Sequence, residues 1–337
     1  MPANVGKMFY CGEVPWHGQG VRLETPADLD TALARGGLDW TVSTRPIVVD
    51  ENPPTSTGRR VAVVRDDIAP GEPGRVLGIV HPAFRTLQNA EGTRIFDRLF
   101  DAGAKKYVTG GYLGAGERLW LQARLPERHV IAVGGDDRVD TYLLYSNSHD
   151  GSQAVDMRIG TVRVVCQNTL NLALSDQARR ALRRAHDARL EFLERDARTF
   201  FDILVSEVDR TRETFNTLHA TPMDDPAFLA FLARLLPMPA PPDTSHPPTL
   251  QSWRTRCAGI ERDRSALVKI HREGGATESP DRRIAPSPRS RWGALNSVTA
   301  WVDHFADDRD FGFATFGRGA QIKERALALL APPGGGG

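Results

Sequence analysis

The sequence has little cysteine. Its three cysteines, Cys11, Cys166 and Cys257, stand far apart in a chain of 337 residues. Disulfide frameworks use an even number of cysteines, and structural zinc sites use C-x-x-C pairs, and neither pattern is present. We therefore expect three reduced thiols, with no disulfide framework and no structural zinc.

Long apolar runs are also missing. No stretch approaches the ~20 apolar residues that a membrane-spanning helix needs, and residues 1–7 lack the apolar run of a signal peptide. Hydrophobic residues make up 40% of the chain and charged residues 25%, a globular composition that excludes collagen-like, rod-like and fully disordered classes. The sequence thus predicts a globular, cytoplasmic protein with no membrane partner.

An excess of positive charge is absent too. The 43 Lys and Arg residues are almost balanced by 42 Asp and Glu residues, so the formal net charge is +1. The strongly basic composition that usually marks a nucleic-acid-binding protein is therefore lacking. Only five of the basic residues are lysines. The surplus of arginine either supplies planar donors suited to phosphate or reflects GC-rich coding.

The order of local patterns predicts an α+β fold. Strand patterns and a few helices fill about the first 165 residues, and helical patterns fill the rest. Gly114–Gly116 is expected to form a hairpin turn between two strand candidates, Lys106–Leu113 and Arg118–Leu125, in a mostly antiparallel sheet. The predicted regions are a core domain over residues 1–175, a long helix with a helical extension over 176–236, a Pro-rich linker over 237–249, a helical C-terminal region over 250–331 and a disordered tail over 332–337.

The long helix is predicted over Asp176–His219, where apolar residues recur at steps of three and four. Packing of the helix on its own domain explains this nearly heptad seam, and so does contact between the subunits of an oligomer. Pro237–Pro248 holds six prolines, which end a helix and indicate an exposed linker.

Three short polar clusters could carry chemistry. One of them, Asn147–Ser152, contains the residue types of a hydrolase triad in Ser148, His149 and Asp150. Adjacent residues on a strand or in a turn point in different directions, so these three cannot align as nucleophile, base and orienting acid. We therefore exclude a serine hydrolase. The segment is either a tight turn at Asp150-Gly151 or a polar loop that faces a ligand.

The other two clusters are Pro15–Gly20, which includes Trp16 and His17, and Val165–Leu170. Within the latter, Cys166 is either a buried, inert thiol or a nucleophile paired with a histidine.

Gln167 and Asn168 follow a strand candidate. They are placed to contact a phosphate or, equally well, to cap a helix.

Metal and cofactor motifs are not found. The adjacent pairs His149/Asp150 and Asp303/His304 lack the i, i+4 spacing of paired ligands on a helix, and no phosphate-binding glycine loop is present. The sequence therefore predicts neither a metal nor a cofactor.

The strongest signal for nucleic acid is a basic stripe on the predicted long helix. Arg179, Arg180, Arg183 and Arg184 fall within an arc of about 140° at helical spacing. A solvated helix face explains the same pattern without a ligand. A second basic surface is predicted on the strands, from Lys105, Lys106, Arg118, Arg124, Arg158 and Arg163.

Several blocks of sequence also carry a family resemblance: Trp16-His17-Gly18, His81–Phe84, Asn147–Ser152, Val162–Leu170, Trp292–His304, and Phe316–Ala320 with Lys323. Over about residues 8–330 the chain resembles the phage/plasmid-like proteins known as domain of unknown function 932. That resemblance implies residence on phages, plasmids and integrated elements. The order of helix, hairpin-rich sheet and long helix is also similar to that of the Redβ/RecT/Erf type of single-strand annealing proteins, which hold DNA by its backbone in rings or filaments.

Together these features predict a non-enzymatic homo-oligomer, a ring or filament, that binds single-stranded DNA and promotes annealing. Its basic groove would neutralise phosphates while the bases stay extended for pairing. The residues expected to contact DNA are Arg163, Asn168, Arg179, Arg180, Arg183 and Arg184, followed by Lys105 and Lys106.

Two alternatives stay open. An enzyme acting on nucleic acid or nucleotide would need His17, His149 and Asp150 to converge within hydrogen-bond reach. The other alternative is a phage-encoded modulator of a host protein, which no residue of the sequence distinguishes from the DNA-binding prediction. The polar site that the enzyme alternative would use consists of Trp16, His17, Ser148, His149, Asp150 and Gln167.

Overall fold

A computed structural model describes residues 5–12, 20–100, 103–163, 169–171, 183–187, 193–243, 246–276, 283–284, 288–306 and 317–331. It confirms the α+β class, with sheets early in the chain and helices after them. The chain forms two compact units. The N-terminal unit comprises Met1–His129, Thr141–Gly160 and Leu174–Val208, and the C-terminal unit comprises Val130–Asp140, Thr161–Ala173 and Asp209–Gly337.

Most of the described strands precede residue 165. In chain order the strands are β1 (Val5–Cys11), β2 (Val21–Leu23), β3 (Val42–Val49), β4 (Thr55–Arg65), β5 (Val76–Val80), β6 (Tyr107–Leu113), β7 (Arg118–Arg124), β8 (Ile131–Val133), β9 (Asp137–Ser148), β10 (Val155–Arg163), β11 (Thr169–Asn171), β12 (Arg183–Arg184), β13 (Gly275–Ala276) and β14 (Arg283–Ile284).

The longest helices come later in the chain. In chain order the helices are α1 (Leu29–Gly36), α2 (Asn89–Asp97), α3 (Leu193–Ala220), α4 (Asp225–Leu235), α5 (Pro247–Glu273), α6 (Arg291–Ala300) and α7 (Arg318–Leu330). A short 3-10 helix spans Glu127–His129, and a π-helical turn, Trp301–Phe305, follows α6. Among the described residues, no helix combines the length and the apolar character needed to cross a membrane.

Among the described residues the main sheet has nine strands, seven of them in the order β11-β10-β9-β7-β6-β1-β2, while β12 pairs with β10 and β8 with β9. β6 is antiparallel to both β1 and β7, and β7 is antiparallel to β9, whereas β1 and β2 are parallel. The expected antiparallel hairpin is thus confirmed. At its turn, Gly114 and Gly116 have φ of 64° and 125°, which glycine adopts without steric cost.

A separate antiparallel sheet, β3-β4-β5, packs one face around Trp40. The indole position follows from the end of α1. That helix begins after Asp28, whose carboxylate accepts the Thr31 N–H at 2.9 Å, and ends at Gly37 in the left-handed conformation. The Gly37 carbonyl then accepts the Trp40 Nε1–H at 2.8 Å, which fixes the ring that the candidate site uses.

The C-terminal unit is mainly helical. The buried side chains of Phe215 and Leu218 on α3 face its core, and the Phe215 ring lies 4.6 Å from that of Trp292 on α6. Helix α6 begins after Ser290, whose hydroxyl accepts the Gly293 N–H at 3.2 Å.

Two expectations from the sequence are wrong in part. The long helix expected over Asp176–His219 does not include Arg183–Arg184, which pairs as β12 with Val155 and Asp156 of β10, so the helix begins at Leu193. Tertiary pairing overrides the local helical propensity there. Helix α5 begins at Pro247, inside the expected linker 237–249, because proline fits the first turn of a helix. The expected tail 332–337 lies outside the described residues.

Candidate functional site

A basic cleft lies in the N-terminal unit and has a volume of about 580 Å³. Five cationic side chains and one acidic side chain, Glu127, line this cleft. We call the surface that they form the basic cleft. Among these residues Lys106 is buried and the others are exposed. The cations are Arg98, Lys105, Lys106, Arg124 and Arg128.

Backbone pairing brings these cations together from separate segments. Arg98 follows the last residue of α2, Lys105 and Lys106 precede β6, and Arg124 ends β7. The Arg124 N–H donates to the Lys106 carbonyl at 2.9 Å, so the start of β6 and the end of β7 are held side by side. Arg128 belongs to the short 3-10 helix that follows. The sheet thus places positive charge from four places in the sequence around one opening.

Lys106 differs from the other members of the cleft. Its Nζ lies 2.8 Å from Asp97 Oδ1 and its side chain is 5% exposed. The same carboxylate accepts the Tyr107 hydroxyl at 2.7 Å, and burial, followed by this hydrogen bond and then the Asp97 charge, raises the pKa of that tyrosine. The Lys106 charge is therefore largely balanced within the fold.

Positive charge continues from the cleft towards the edge strand β2. The Cys11 thiol has its pKa raised by burial, and the charges of Arg124 and Arg22 oppose this shift. Both arginines are exposed and lie near the same thiol. Arg124 also lies over the Tyr142 ring, with its guanidinium carbon 5.7 Å from the centroid.

A second feature of the N-terminal unit is a buried group of side chains that we call the His149 cluster: Trp40, Asn89, His149 and His186. His149 directly follows β9 and is fully buried. Its backbone N–H donates to the Glu117 carbonyl at 2.7 Å, and its ring lies 5.4 Å from that of Trp40.

The tautomer of His149 follows from its partners. The Asn89 Nδ2 donates to the Trp40 carbonyl at 3.2 Å, which turns the amide oxygen of Asn89 towards His149. That oxygen lies 2.8 Å from His149 Nε2, so Nε2 carries the proton. Nδ1 is then a lone-pair acceptor, and it has no hydrogen-bond partner among the described residues.

His186 has the complementary arrangement. Its Nδ1 lies 2.9 Å from the Arg85 carbonyl oxygen, which can only accept, so Nδ1 carries the proton. The ring stacks on Phe84 with centroids 4.4 Å apart. Its Nε2 is buried and has no hydrogen-bond partner within the described part of the chain.

Electrostatics keep both rings neutral. Burial, reinforced by the nearby His186, lowers the pKa of His149 to about 3, and Asp150 only partly opposes the shift. Burial also lowers the pKa of His186, against the Arg85 carbonyl and Asp150. At neutral pH the two imidazoles therefore present two lone pairs and no charge.

The triad residue types diverge as the sequence analysis expected. The Ser148 hydroxyl donates to the Gln153 carbonyl at 2.8 Å, whereas Asp150 accepts the Ser152 N–H at 2.9 Å and also the Ser152 hydroxyl. His149 points to Asn89 instead. No nucleophile, base and acid are aligned among these three residues.

The remaining predicted residues divide into two groups. Arg163 ends β10, and Arg183 and Arg184 form β12, so the last two do not share a helix face as predicted. Trp16, His17, Gln167, Asn168, Arg179 and Arg180 lie outside the described residues.

Sequence reasoning missed some members of both features. Arg98 and Arg128 stand in segments with no nucleic-acid signal, and His186 was assigned to the long helix. The block His81–Phe84 was singled out, and its Phe84 lies against His186. That block and Asn147–Ser152 were the signals that pointed towards the His149 cluster.

The C-terminal unit holds a buried ion pair. Lys323 Nζ on α7 lies 2.9 Å from Asp303 Oδ1 in the π-helical turn, and the two side chains are 2% and 0% exposed. The turn brings Asp303 to this partner. Among the described residues, no group of three or more His, Cys, Asp or Glu side chains is arranged to hold a metal ion.

Comparison with known proteins gives one result. The family model described as domain of unknown function (DUF932) matches residues 76–326. The chain matches no curated protein and no solved structure. The matched region includes the five cations of the basic cleft, three members of the His149 cluster (Asn89, His149 and His186) and the ion pair of Asp303 and Lys323, and it covers well over half of the chain. The chain therefore belongs to the family of domain of unknown function 932.

Proposed function

We propose that the chain binds single-stranded DNA through the basic cleft and, as a cytoplasmic homo-oligomer, promotes annealing of complementary strands. The observation that carries the proposal is the convergence of four exposed cations, Arg98, Lys105, Arg124 and Arg128, around one opening with one acidic side chain. Net charge close to zero makes this local concentration of positive charge informative, because it is not a consequence of a basic composition.

Contacts with the phosphates of the DNA backbone account for most of the expected affinity for single-stranded DNA. Each cation that neutralises a phosphate releases condensed counterions, which gives binding that weakens as salt rises. The aromatic side chain that lines the cleft, Phe100, is half-buried, with Lys106 Nζ 4.9 Å from its centroid and Phe96 packed edge to face. Stacking on a base is therefore restricted. Binding should depend little on sequence, as annealing requires.

Annealing and oligomer formation are supported less directly. A groove that holds phosphates leaves the base edges open to a second strand. The order of helix, hairpin-rich sheet and long helix is similar to that of Redβ/RecT/Erf proteins. Since no solved structure matches the chain, that similarity stays a prediction.

A matched pair of variants tests DNA binding. Replacing Arg98, Lys105, Arg124 and Arg128 with Ala removes four exposed charges from the cleft. The control replaces Arg254, Arg256, Arg262 and Lys269, four exposed cations of α5, and changes the net charge equally. Fluorescence anisotropy of a labelled single-stranded oligonucleotide, measured over a range of salt, compares them.

We expect the cleft variant to lose affinity and to lower the slope of log K against log salt by up to about 3, as four phosphate contacts imply for single strands. The control should keep the wild-type slope. An unchanged slope in the cleft variant, or equal losses in both variants, would reject the cleft. Light scattering with and without the oligonucleotide, and an annealing assay with complementary strands, test the oligomer and the strand pairing separately.

A second candidate function, an enzyme acting on nucleic acid or nucleotide, is favoured by the unpartnered lone pair of His149 Nδ1. A neutral imidazole nitrogen can take a proton from a reacting group. Turnover of single-stranded DNA or nucleotide that is lost in His149→Gln, with oligonucleotide affinity retained, would support this candidate. Absence of turnover in the wild-type chain would dismiss it.

A further inference from the structure

Two buried imidazole nitrogen atoms in the N-terminal unit lack hydrogen-bond partners among the described residues, His149 Nδ1 and His186 Nε2. Leaving a buried acceptor unsatisfied destabilises the folded state, so such atoms call for an explanation. Here there are two of the same kind, on two imidazoles that act on each other electrostatically.

The opposite nitrogen of each ring is anchored in the same way. His149 Nε2–H donates to the amide oxygen of Asn89 at 2.8 Å, and His186 Nδ1–H donates to the Arg85 carbonyl at 2.9 Å. Metal-ligating histidines show this pattern, because a carbonyl or carboxylate acceptor on one nitrogen fixes the tautomer and directs the other lone pair to the metal.

The surroundings hold the rings in place. Phe84 stacks on His186, and Trp40 packs against His149. Asp150 lies close enough to act on both histidines, and its negative charge would offset that of a bound cation. Arg65, whose guanidinium carbon is 4.2 Å from the Trp40 centroid, opposes a cation but is itself paired with Asp67 at 2.7 Å.

We propose that His149 Nδ1 and His186 Nε2 jointly bind one divalent transition-metal ion, with Zn²⁺ as the best match. Neutral imidazole is a preferred ligand of Zn²⁺. The two histidines are the protein ligands that the described residues supply, and the other coordination positions fall to oxygen ligands. The site is separate from the basic cleft and does not depend on DNA binding.

The test uses the full-length untagged chain, stripped with a chelator and titrated with Zn²⁺ by calorimetry. We expect one ion per chain, with affinity more than about tenfold weaker in His149→Gln and in His186→Gln. His271→Gln is the matched control: His271 is also buried and hydrogen-bonded, to Ser297 at 2.9 Å, but lies in the C-terminal unit. It should bind Zn²⁺ as the wild type does.

Wild-type protein loaded with Co²⁺ provides a second measurement that needs no variant to fold. X-ray absorption should show at least two imidazole ligands on the metal. Absence of stoichiometric binding, fewer than two imidazoles, or full affinity in both His149→Gln and His186→Gln would overturn the proposal. A water molecule shared by the two lone pairs would give the first of these results.

Discussion

Two buried polar arrangements, one in each unit, satisfy their side chains to different degrees. In the C-terminal unit, Lys323 and Asp303 form an ion pair at 2.9 Å with both side chains almost completely buried. In the N-terminal unit, the His149 cluster holds each histidine by one nitrogen, and the second nitrogen has no partner among the described residues. We call the first arrangement closed, because its charges are paired within the fold, and the second open, because one acceptor nitrogen on each histidine has no partner within the described part of the chain.

This difference concerns what each arrangement offers to an incoming ligand. A closed buried pair balances its own charges and gives an incoming ligand nothing to bind. An open pair of acceptors lowers the stability of the fold until a donor or a metal arrives, and proteins accept such losses at functional sites. The sequence marks both regions equally, since Asn147–Ser152 and Trp292–His304 carry the family resemblance in the same way. The contacts distinguish them.

The largest expected effect comes from breaking the closed arrangement. Lys323→Met leaves the Asp303 carboxylate buried without its cation, which should cost about 3–5 kcal/mol of stability. The double variant Lys323→Met/Asp303→Leu removes both charges and should recover most of the loss. Urea unfolding followed by tryptophan fluorescence measures both. A smaller loss in the single variant than in the double variant would show that Asp303 does not depend on Lys323 to balance its charge.

The sequence predicted much of the fold where local signals decide it. The β6–β7 hairpin followed from Gly114–Gly116, and the C-terminal helices followed from apolar periodicity. β1 was missed because Val5–Cys11 shows no clear alternation of apolar and polar residues and is stabilised by pairing with β6, about 100 residues away in the chain. Arg183 and Arg184 were placed on a helix for the same reason, since their partner is the distant β10.

The candidate site was harder to predict because it is assembled from distant segments. Lys105 and Arg124 were identified from their strands, but only the register of β6 and β7 shows that Arg124 joins the start of β6. Asn89 and His149 are 60 residues apart in the chain, and no short motif connects either of them with His186. A single sequence records which polar residues are present and not which of them meet.

An effect of intermediate size is expected in the pH dependence of stability, through a buried histidine of the C-terminal unit. Burial, with help from Arg272 and Arg289, lowers the pKa of His271 despite Asp225. The folded pKa lies below the unfolded one, so the unfolded chain binds more protons as pH falls below about 6.5. This histidine therefore favours folding above that pH, and its contribution declines as pH falls towards the folded value.

The measurement is the unfolding free energy of wild type and His271→Gln between pH 7 and 5. We expect the wild type to lose more stability over this interval than the variant does. Parallel curves for the two proteins would show that Ser297, the partner of His271 at 2.9 Å, also accommodates the charged ring.

The smallest expected effect sharpens the open side of the comparison. Tyr145 is fully buried, burial raises its pKa, and its hydroxyl has no hydrogen-bond partner among the described residues. Removing an unpaired buried hydroxyl sacrifices no bond, so Tyr145→Phe should change stability by less than about 0.5 kcal/mol, or raise it. Tyr107→Phe is the control, because that hydroxyl donates to Asp97 at 2.7 Å and its loss should cost about 1.5–3 kcal/mol, as for bonds to charged groups. Chemical denaturation measures the free energy of unfolding of both variants. A loss in Tyr145→Phe as large as that in Tyr107→Phe would mean that the Tyr145 hydroxyl has a partner in the folded protein, and the N-terminal unit would be closed at that position like the ion pair of Asp303 and Lys323.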